Sequence, residues 1–418
     1  MMAFIKKLWR DKRGNALIIA GASLPLLMGS VGLATDTVQW SLWKRQLQRS
    51  ADSAAIAGVA ARMQSASSGT AVTRDLTNNN HLWVSLLGGY PQVTEPTDTA
   101  TTKLTVQVGL AVQRSLSFSS MFLSSAPVIS VSARAAAVPD GLFCVVALET
   151  ENTAGLIIQG SADVNMGCGM ISNSPSSSVS VDVNGNAHHV TAEPVAGVGG
   201  VPDINGVTAE ESGHLAQLDP YAGKYSTTKP ADMSCNTMDN HEVLEVPNDN
   251  SVKTLSAGCY SGTNQFKFTN GTTVLQPGTY YLDSIDFDVS GNANISGDGV
   301  TIILTGSTPG QIKLNGGGNI VLAAPSAGDF ANMLLMQSPS AANIAGNVIN
   351  GSSGLSLDGR IYFPNQQMTF TGSAGASTKC AMVVARRVEF AGSTNIQNNT
   401  TGCHHNDQVA GQMIRLIA

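Results

Sequence analysis

The chain has 418 residues, a length that indicates two or three domains. Charged residues make up only 12% of it, and 43 glycines favour short strands and tight turns over a helical bundle, whose solvated faces need Lys, Glu and Arg. The net charge of −6 argues against a nucleic-acid-binding protein, which needs a basic surface.

The first predicted element is a membrane-spanning helix. Residues 16–34 carry no charge and, at about 1.5 Å per residue, approach the roughly 30 Å thickness of a hydrocarbon core. The basic residues before this run place the N-terminus in the cytoplasm and everything after Asp36 outside. A cleaved signal peptide is the alternative, but its apolar region is usually shorter and ends in a small-residue cleavage site. The basic residues are Lys6, Lys7, Arg10, Lys12 and Arg13.

Small residues recur along this helix. Gly21, Pro25 and Gly29 are four residues apart and share one face, where a second helix can approach closely. Pro25 also frees a backbone carbonyl and bends the helix. We predict a helix-packing face here, although Gly and Pro are also common in membrane helices for reasons of composition alone.

Beyond Asp36 the pattern becomes amphipathic, with an apolar face that is mostly alanine. No Pro or Gly interrupts residues 36–57, so we expect the helix to continue as a stem that ends near Ser65. Close packing against a neighbour suits such an alanine-rich face. The stem residues that we assign to packing are Leu47, Gln48, Ala51 and Asp52.

A family resemblance covers residues 10–62. RDKRGNALIIAGASLPLLMGSVGLATDTVQW, followed by LQRSADSAAIAG, resembles the N-terminal module of TadE/TadG-like Flp pilus assembly proteins. The resemblance implies a bacterial inner-membrane protein with a periplasmic body that works with the machine building tight-adherence pili. The matching elements are the basic stretch before Gly14 and Asn15, Pro25, Asp36, and the pairs Leu47-Gln48 and Ala51-Asp52.

Two family features are missing. Pseudopilins of this system carry a Glu five residues after the processing Gly, and counting from Gly14 that position is Ile19, so we do not expect cleavage after Gly14. Larger members often carry a von Willebrand A domain, but its D-x-S-x-S metal loop does not occur in this sequence. We therefore predict no metal site.

The segment after the stem is predicted to be a small α+β unit over residues 67–140. Residues 67–100 have the Ser, Thr, Asn and Pro content of a loop. Residues 102–113 and 127–138 alternate apolar and polar residues with period two, which indicates half-buried strands, and RSLSFSSMF between them favours a short helix. Such a unit, packed on the stem, is similar to a pseudopilin head.

From residue 141 to the end the sequence is a uniform series of short strands and Gly turns. The phrases IIQGSADVNM, DVSGNANISG and EFAGSTNIQNN share the outline strand, Gly turn, small residues and Asn-bearing strand. Such repetition predicts a parallel β-helix-like solenoid, with a large β-sandwich as the alternative. This region resembles the domain fused behind some TadG-like N-termini, including PGTYYLD, ISGDGVTIIL and AAP. The predicted fold class is therefore mainly β, with residues 1–66 forming the anchor and stem.

All six cysteines follow the apolar helix, and none forms a C-x-x-C pair. In an exported region an even number favours disulfides. The cysteines fall into three local pairs, each separated by about two dozen residues, the length of one β-helix coil. Stacked strands are about 4.8 Å apart, within the reach of a disulfide, although free thiols are the alternative. The predicted pairs are Cys144–Cys168, Cys235–Cys259 and Cys380–Cys403.

Candidate chemical groups are few. Polysaccharide-degrading enzymes need converging carboxylates, and Asp286 and Asp288 share one face of a predicted strand, although a solvated face is the plainer interpretation. Adjacent side chains in a strand point to opposite faces, so neither His doublet chelates a metal efficiently. No catalytic or cofactor motif appears in a suitable context, and we predict neither an enzyme nor a cofactor. The remaining candidates are Asp283, Asp358, His188-His189 and His404-His405.

Taken with the resemblance, these patterns predict a non-enzymatic, membrane-anchored accessory or minor component of Flp pilus assembly. We expect its helix to engage the inner membrane and other pilus-assembly proteins or pilin, with its body periplasmic or surface-displayed. A surface adhesin or glycan-binding β-helix is the second hypothesis. A tethered polysaccharide-active enzyme is the third.

Overall fold

The computed structural model is mainly β, with few helices and a large β-solenoid. It divides into two compact units, Met1–Val138 with Ile414–Ala418, and Pro139–Met413. The predicted stem and α+β unit thus belong to one compact unit. The structure describes residues 12–79, 85–99, 102–185, 189–238, 252–262, 266–315, 317–342, 346–351, 354–372, 375–399 and 410–417. Within these ranges the side chains of residues 12–18, 20, 79, 139–142, 238, 375–377 and 410 are not described.

The first unit consists of a long helix and a small antiparallel sheet with strand order β1, β2, β3. A π-helical turn follows α2, a 3₁₀ turn lies between β2 and β3, and β3 continues into the second unit. The elements are α1 (Lys12–Met63), α2 (Ser68–Arg74), the π turn (Asp75–Asn79), β1 (Gln92–Thr94), β2 (Lys103–Gln113), the 3₁₀ turn (Ser119–Met121) and β3 (Val128–Ala147).

α1 is continuous over its 52 residues and contains Pro25. As predicted, the helix runs without interruption from the apolar segment into the stem, and it ends at Met63. Among the described residues, no helix has a stretch that is both long enough and apolar enough to cross a membrane.

The stem half of α1 packs on the sheet through its small apolar residues. Gly58 permits the close approach, because a Cβ at this position would lie 2.8 Å from a methyl carbon of Val106 on β2. Arg62 adds a polar tie, since its Nη1 donates to the carbonyl oxygen of Thr105 at 3.0 Å. The buried apolar residues of this helical stripe are Leu47, Ala51, Ala54, Ala55, Val59 and Met63.

The loop-like composition of residues 67–100 led to a wrong expectation for its first part, which is helical. Ser67 caps α2, with its hydroxyl accepting from the backbone N–H of Thr70 at 3.4 Å. Val72 and Leu76 then bury their side chains. Hydroxyl residues favour loops and helix N-caps alike, so composition alone did not separate the two.

The second unit contains the remaining strands, apart from the end of β27, because Ile414–Ala418 belong to the first unit. They are β4 (Leu156–Gly160), β5 (Asp163–Asn165), β6 (Gly169–Ser172), β7 (Val181–Gly185), β8 (His189–Thr191), β9 (Val195–Gly197), β10 (Glu210–Ser212), β11 (Cys235–Met238), β12 (Val252–Leu255), β13 (Gly258–Gly262), β14 (Phe266–Phe268), β15 (Thr272–Leu275), β16 (Gly278–Asp283), β17 (Phe287–Val289), β18 (Asn294–Gly297), β19 (Val300–Thr305), β20 (Ile312–Leu314), β21 (Ile320–Ala323), β22 (Met333–Gln337), β23 (Asn347–Gly351), β24 (Leu355–Gly372), β25 (Gly375–Phe390), β26 (Asn395–Asn399) and β27 (Ala410–Leu416).

From the second part of β3 to β26, the strands form a parallel β-solenoid of about 9 turns, as predicted, and not the alternative β-sandwich. Three parallel ladders run along it, and the long strands β24 and β25 contribute to all three. Aliphatic and aromatic side chains fill the interior, including rings that stack from coil to coil such as Phe370 on Phe390, with centroids 5.4 Å apart. Asn side chains also bridge coils, since Asn294 Oδ1 accepts from the backbone N–H of Asn319 at 3.0 Å.

The coils do not stack in chain order. The chain enters the solenoid in the middle of the stack at β3, winds outward to β10, and resumes at β11 at the opposite end. It then winds back until β25 and β26 lie beside β3, β4 and β5. Along the face that contains β3, the strand order is β10, β9, β6, β3, β25, β24, β22, β19, β16, β13, β11.

Two coils distant in sequence therefore meet inside the stack, at a boundary that we call the seam. There β25 pairs with β3 and β4, and β26 pairs with β5. The two sides are joined by backbone ladders and side chains between segments more than 200 residues apart.

A second consequence of this order is that the chain must return along the stack between β10 and β11. Residues 213–234, which we call the connector, make this return. Their contacts pass from one side of the seam to the other. In sequence order the partners are Asn173 for Gln217, Tyr362 for Asp219, Met382 for Tyr221, Arg360 for Tyr225 and Ser338 for Thr227.

Candidate functional site

The first half of α1 is the most exposed apolar surface that the structure describes. A Cβ built on Gly21 or Gly29 meets nothing within 4 Å, so the predicted packing face is open. Pro25 is exposed on the same helix. Large apolar side chains surround these residues and are also exposed, namely Ile19, Leu24, Leu26, Leu27, Met28, Val31 and Leu33.

The stem residues singled out from the sequence have an intramolecular role. Leu47 and Ala51 are buried in the first unit. Gln48 Nε2 donates to Asp52 Oδ1 at 2.7 Å and to the carbonyl oxygen of Ser132, on β3, at 3.0 Å. The four residues thus hold α1 to its own sheet.

Asp36 fastens the segment between β2 and β3 to α1. Its carboxylate accepts from the backbone N–H of Phe118 at 3.0 Å and from both the N–H and the hydroxyl of Ser119. Burial acts to raise the pKa of Asp36, but these three hydrogen bonds outweigh it and hold the pKa below its usual value. One turn earlier, a Cβ on Gly32 would lie 2.4 Å from the ring of Phe118, so only Gly allows this ring to lie on the helix.

The candidate catalytic carboxylates are engaged with lysines instead of converging on a common point. Asp286 Oδ2 lies 2.9 Å from Lys313 Nζ, and Asp288 Oδ2 lies 3.3 Å from Lys267 Nζ. Asp288 is in register with both lysines on the neighbouring strands β14 and β20. The alternating charges form a ladder on one solenoid face.

The other two carboxylates are also engaged. Asp283 accepts from the hydroxyl of Ser284, and Asp358 Oδ2 lies 3.8 Å from Lys379 Nζ. Burial raises the pKa of Asp358, with Lys379 opposing the shift. Of the histidine doublets, His189 is exposed on β8, and its neighbour at 188 and the pair at 404–405 lie outside the described residues.

Two of the predicted disulfides are present. Cys144–Cys168 and Cys235–Cys259 have Cα atoms 5.8 and 4.4 Å apart and join neighbouring coils. Cys380 is disulfide-bonded, and its predicted partner, Cys403, lies outside the described residues. The sulfurs of Cys235 and Cys259 lie close to Asp283, but because they are bonded to each other they offer no thiolate to a metal.

A buried charge cluster at the seam was not predicted from the sequence. Glu149, directly after β3, is fully buried and pairs with Arg386 and Arg387 of β25. Burial acts to raise the pKa of Glu149, but hydrogen bonds from the backbone N–H of Glu151 and from both arginines hold it below its usual value. The adjacent arginines, Arg386-Arg387, were the available signal in a chain with so few charges.

Together these features define a protein with an exposed apolar helix, a stem fixed to a small sheet, and a disulfide-linked parallel solenoid. Residues 14–62 match the family model described as putative Flp pilus-assembly TadE/G-like. The chain thus carries a TadE/G-like domain at its helical end, followed by the solenoid. No curated protein and no solved structure matches the chain significantly.

Proposed function

We propose that the protein is a non-enzymatic, membrane-anchored accessory or minor component of Flp pilus assembly. The single observation that carries this proposal is the TadE/G-like match over residues 14–62, which supports a role in Flp pilus assembly. The match covers the part of α1 whose apolar side chains are exposed. Membrane anchoring is supported by the charge-free run of residues 16–34. The structure describes the side chains of this run from Ile19 onward, apart from residue 20.

The proposed location is the bacterial inner membrane, crossed once, with the N-terminus cytoplasmic and the body periplasmic or surface-displayed. Protease added to spheroplasts then degrades the body of the protein and leaves the N-terminal segment protected. Full protection of the body, or a mature form that lacks residues 1–34, contradicts the anchored topology.

The partners proposed for the open helix face are pilin or other pilus-assembly proteins. We expect Gly21→Leu with Gly29→Leu to preserve insertion, because apolarity rises, and to weaken co-purification with these partners, because the larger side chains keep a second helix away. A matched control is Ala22→Leu with Ser30→Leu, which places the same two leucines at the same spacing on another exposed face. Equal effects of the two double variants, or no effect of either, contradict a specific packing face.

The solenoid offers a specific observation for the second hypothesis, adhesion. Along one face, outward positions form a row at the roughly 4.8 Å spacing of stacked strands. Short polar side chains in such a row suit a glycan or another repetitive surface. A glycan-binding screen of residues 139–413 tests this candidate. In register, the row includes Ser296, Val321, Ser356, Gln397, Asn165 and Thr191.

The non-enzymatic part of the proposal is supported by the ion pairs of Asp286 and Asp288, because each carboxylate binds a different lysine and the two do not converge on one substrate bond. Polysaccharide hydrolysis that is lost in Asp286→Asn is the result that contradicts it.

A further inference from the structure

The segment that Asp36 holds on α1 ends in an exposed apolar cluster. Met121, Phe122 and Leu123 are 75%, 73% and 51% exposed. The ring of Phe122 lies 5.3 Å from the ring of Phe118, which itself lies on Gly32. The cluster is therefore fixed beside the helix and does not hang from a free loop.

Its position along the helix is informative. The two α1 residues that hold the segment, Gly32 and Asp36, lie on either side of Ala34, the last residue of the charge-free run. The cluster thus lies level with the end of the run. Because the charge-free run is about as long as the hydrocarbon core is thick, its end corresponds to the boundary between that core and the polar interfacial region. The interfacial region adds about 5–8 Å on each side of the core.

The next turns of α1 carry aromatic and basic side chains, which suit the neighbourhood of lipid headgroups. Lys44 lies over the ring of Trp40 at 5.1 Å, and Arg114 lies over the ring of Trp43 at 4.5 Å. At 1.5 Å per residue Trp40 lies about 9 Å beyond Ala34, at the outer limit of the interfacial region, and Trp43 lies about 14 Å beyond it, on the aqueous side and still close to the headgroup charges. Trp is enriched at membrane interfaces, and basic side chains attract anionic lipid. The acidic residue of this stretch, Asp36, is enclosed by its own hydrogen bonds.

We propose that Met121, Phe122 and Leu123 insert into the outer interfacial region of the lipid bilayer beside α1. This contact is a second membrane attachment that fixes the small sheet at the membrane surface. It rests on the proposed function in one respect, that α1 crosses the membrane at residues 16–34. The occupant is lipid and not a second protein chain, because the cluster continues the exposed apolar surface of α1 and is followed by basic and Trp residues.

The test uses the full chain with single introduced cysteines, since the described native cysteines are disulfide-bonded. An environment-sensitive fluorophore is attached at Phe122→Cys or, separately, at Leu123→Cys. The protein is reconstituted into phosphatidylcholine vesicles that contain phosphatidylglycerol, with or without brominated acyl chains. Leu26→Cys reports on the helix itself, and Thr70→Cys, exposed beyond the far end of α1, is the aqueous control.

We expect brominated lipid to quench the labels at positions 122 and 123 as it quenches the label at 26, and to leave the label at 70 unchanged. Labels at 122 and 123 that behave like the one at 70 overturn the insertion, even when position 26 is quenched and the helix anchor holds. Labels shielded from water but not quenched by brominated lipid also overturn it, because a protein then covers the cluster. If position 26 is not quenched, the anchor fails, and quenching at 122 then shows attachment through the cluster alone.

Discussion

Glu149 and Asp219 are carboxylates of the solenoid unit, the first fully buried and the second partly buried, yet their pKa values shift in opposite directions. Glu149 receives charged donors from Arg386 and Arg387, so its pKa is lowered despite burial. Asp219 is desolvated, and although Tyr362 donates to it at 2.7 Å, its pKa is raised. Both carboxylates also accept from backbone N–H groups, Glu149 from that of Glu151, and the two arginine donors of Glu149 have no counterpart at Asp219.

Replacing Glu149 should destabilise the solenoid. Glu149→Gln leaves two arginines without their carboxylate, which we expect to lower the free energy of unfolding by about 2–3 kcal/mol at neutral pH. Because the folded pKa lies below the unfolded one, the stabilisation is present above the unfolded pKa of about 4.3 and is lost as pH falls through the folded value. Urea unfolding at several pH values should therefore show a smaller acid dependence in the variant. Asp358→Asn removes a more exposed ion pair, and burial raises the pKa of Asp358, so this control should change the stability by less than about 1 kcal/mol in either direction.

Replacing Asp219 should have the opposite sign. A raised folded pKa means that its contribution to stability is present below the unfolded pKa and is lost as pH rises through the folded value. At neutral pH the charge is a cost, so Asp219→Asn is expected to leave the stability unchanged or to raise it by up to about 1 kcal/mol. The same urea titrations measure this. A loss of stability as large as that of Glu149→Gln contradicts the assignment.

At the scale of elements, local sequence patterns correctly predicted those features that depend on residues near each other in the chain. Period-two alternation located β2 and β3, and the uninterrupted amphipathic pattern predicted that α1 continues through the stem. Coil-length spacing predicted three disulfides, and two of these pairs are observed among the described residues. The alternation was readable because each element buries one face. The attachment of Phe118 to α1 was not predicted, because it depends on an Asp and a Gly more than 80 residues away.

The order of the coils could not be predicted from the sequence for a related reason. Every coil offers the same backbone edge, so local pattern does not select its neighbour. Two of the recurring phrases, IIQGSADVNM and EFAGSTNIQNN, do stack directly on each other, with Phe390 in register with Ile158 and Asn395 with Asp163. Their turn glycines also coincide, since a Cβ on Gly160 would lie 2.6 Å from the carbonyl oxygen of Gly392. The similarity of the two phrases indicated that their coils have the same structure, but it did not indicate that these coils are neighbours in the stack.

The connector is the element that makes this order possible, and Tyr221 is its anchor. The side chain is buried, packs edge-on against Tyr362 at 5.3 Å, and donates to Met382 Sδ at 2.9 Å. We expect Tyr221→Ala to cost about 3 kcal/mol through the cavity it leaves. Tyr221→Phe keeps the ring and should cost no more than about 1 kcal/mol. Amide hydrogen exchange of residues 213–234 distinguishes release of the connector from general unfolding, and equal effects of the two variants contradict an anchor formed by packing.

For the whole molecule, the seam divides the solenoid into two parts, each continuous in sequence, and the connector joins them. The disulfides Cys144–Cys168 and Cys235–Cys259 each lie within one part, and the predicted pair Cys380–Cys403 lies within the second. Three parallel ladders and the Glu149 ion pairs cross the seam. The seam is therefore held by the same kind of backbone ladders as successive coils, together with a buried ion-pair cluster in place of a disulfide.

This arrangement predicts the outcome of cutting the connector. Gly223 is exposed and has nothing within 4 Å, and its φ of 68° favours Gly, so a protease site inserted after an unchanged Gly223 should disturb folding little. After cleavage we expect the two fragments to co-elute in native buffer, held by the seam, and to separate on a non-reducing denaturing gel, because no predicted or observed disulfide joins them. A chain shortened to residue 413 removes the C-terminal contribution to the first unit and leaves the solenoid to hold the fragments. Glu149→Gln in the cleaved protein should lower the urea concentration at which the fragments part. Separation in native buffer contradicts a cohesive seam, and a single band on the non-reducing gel contradicts the disulfide pairing.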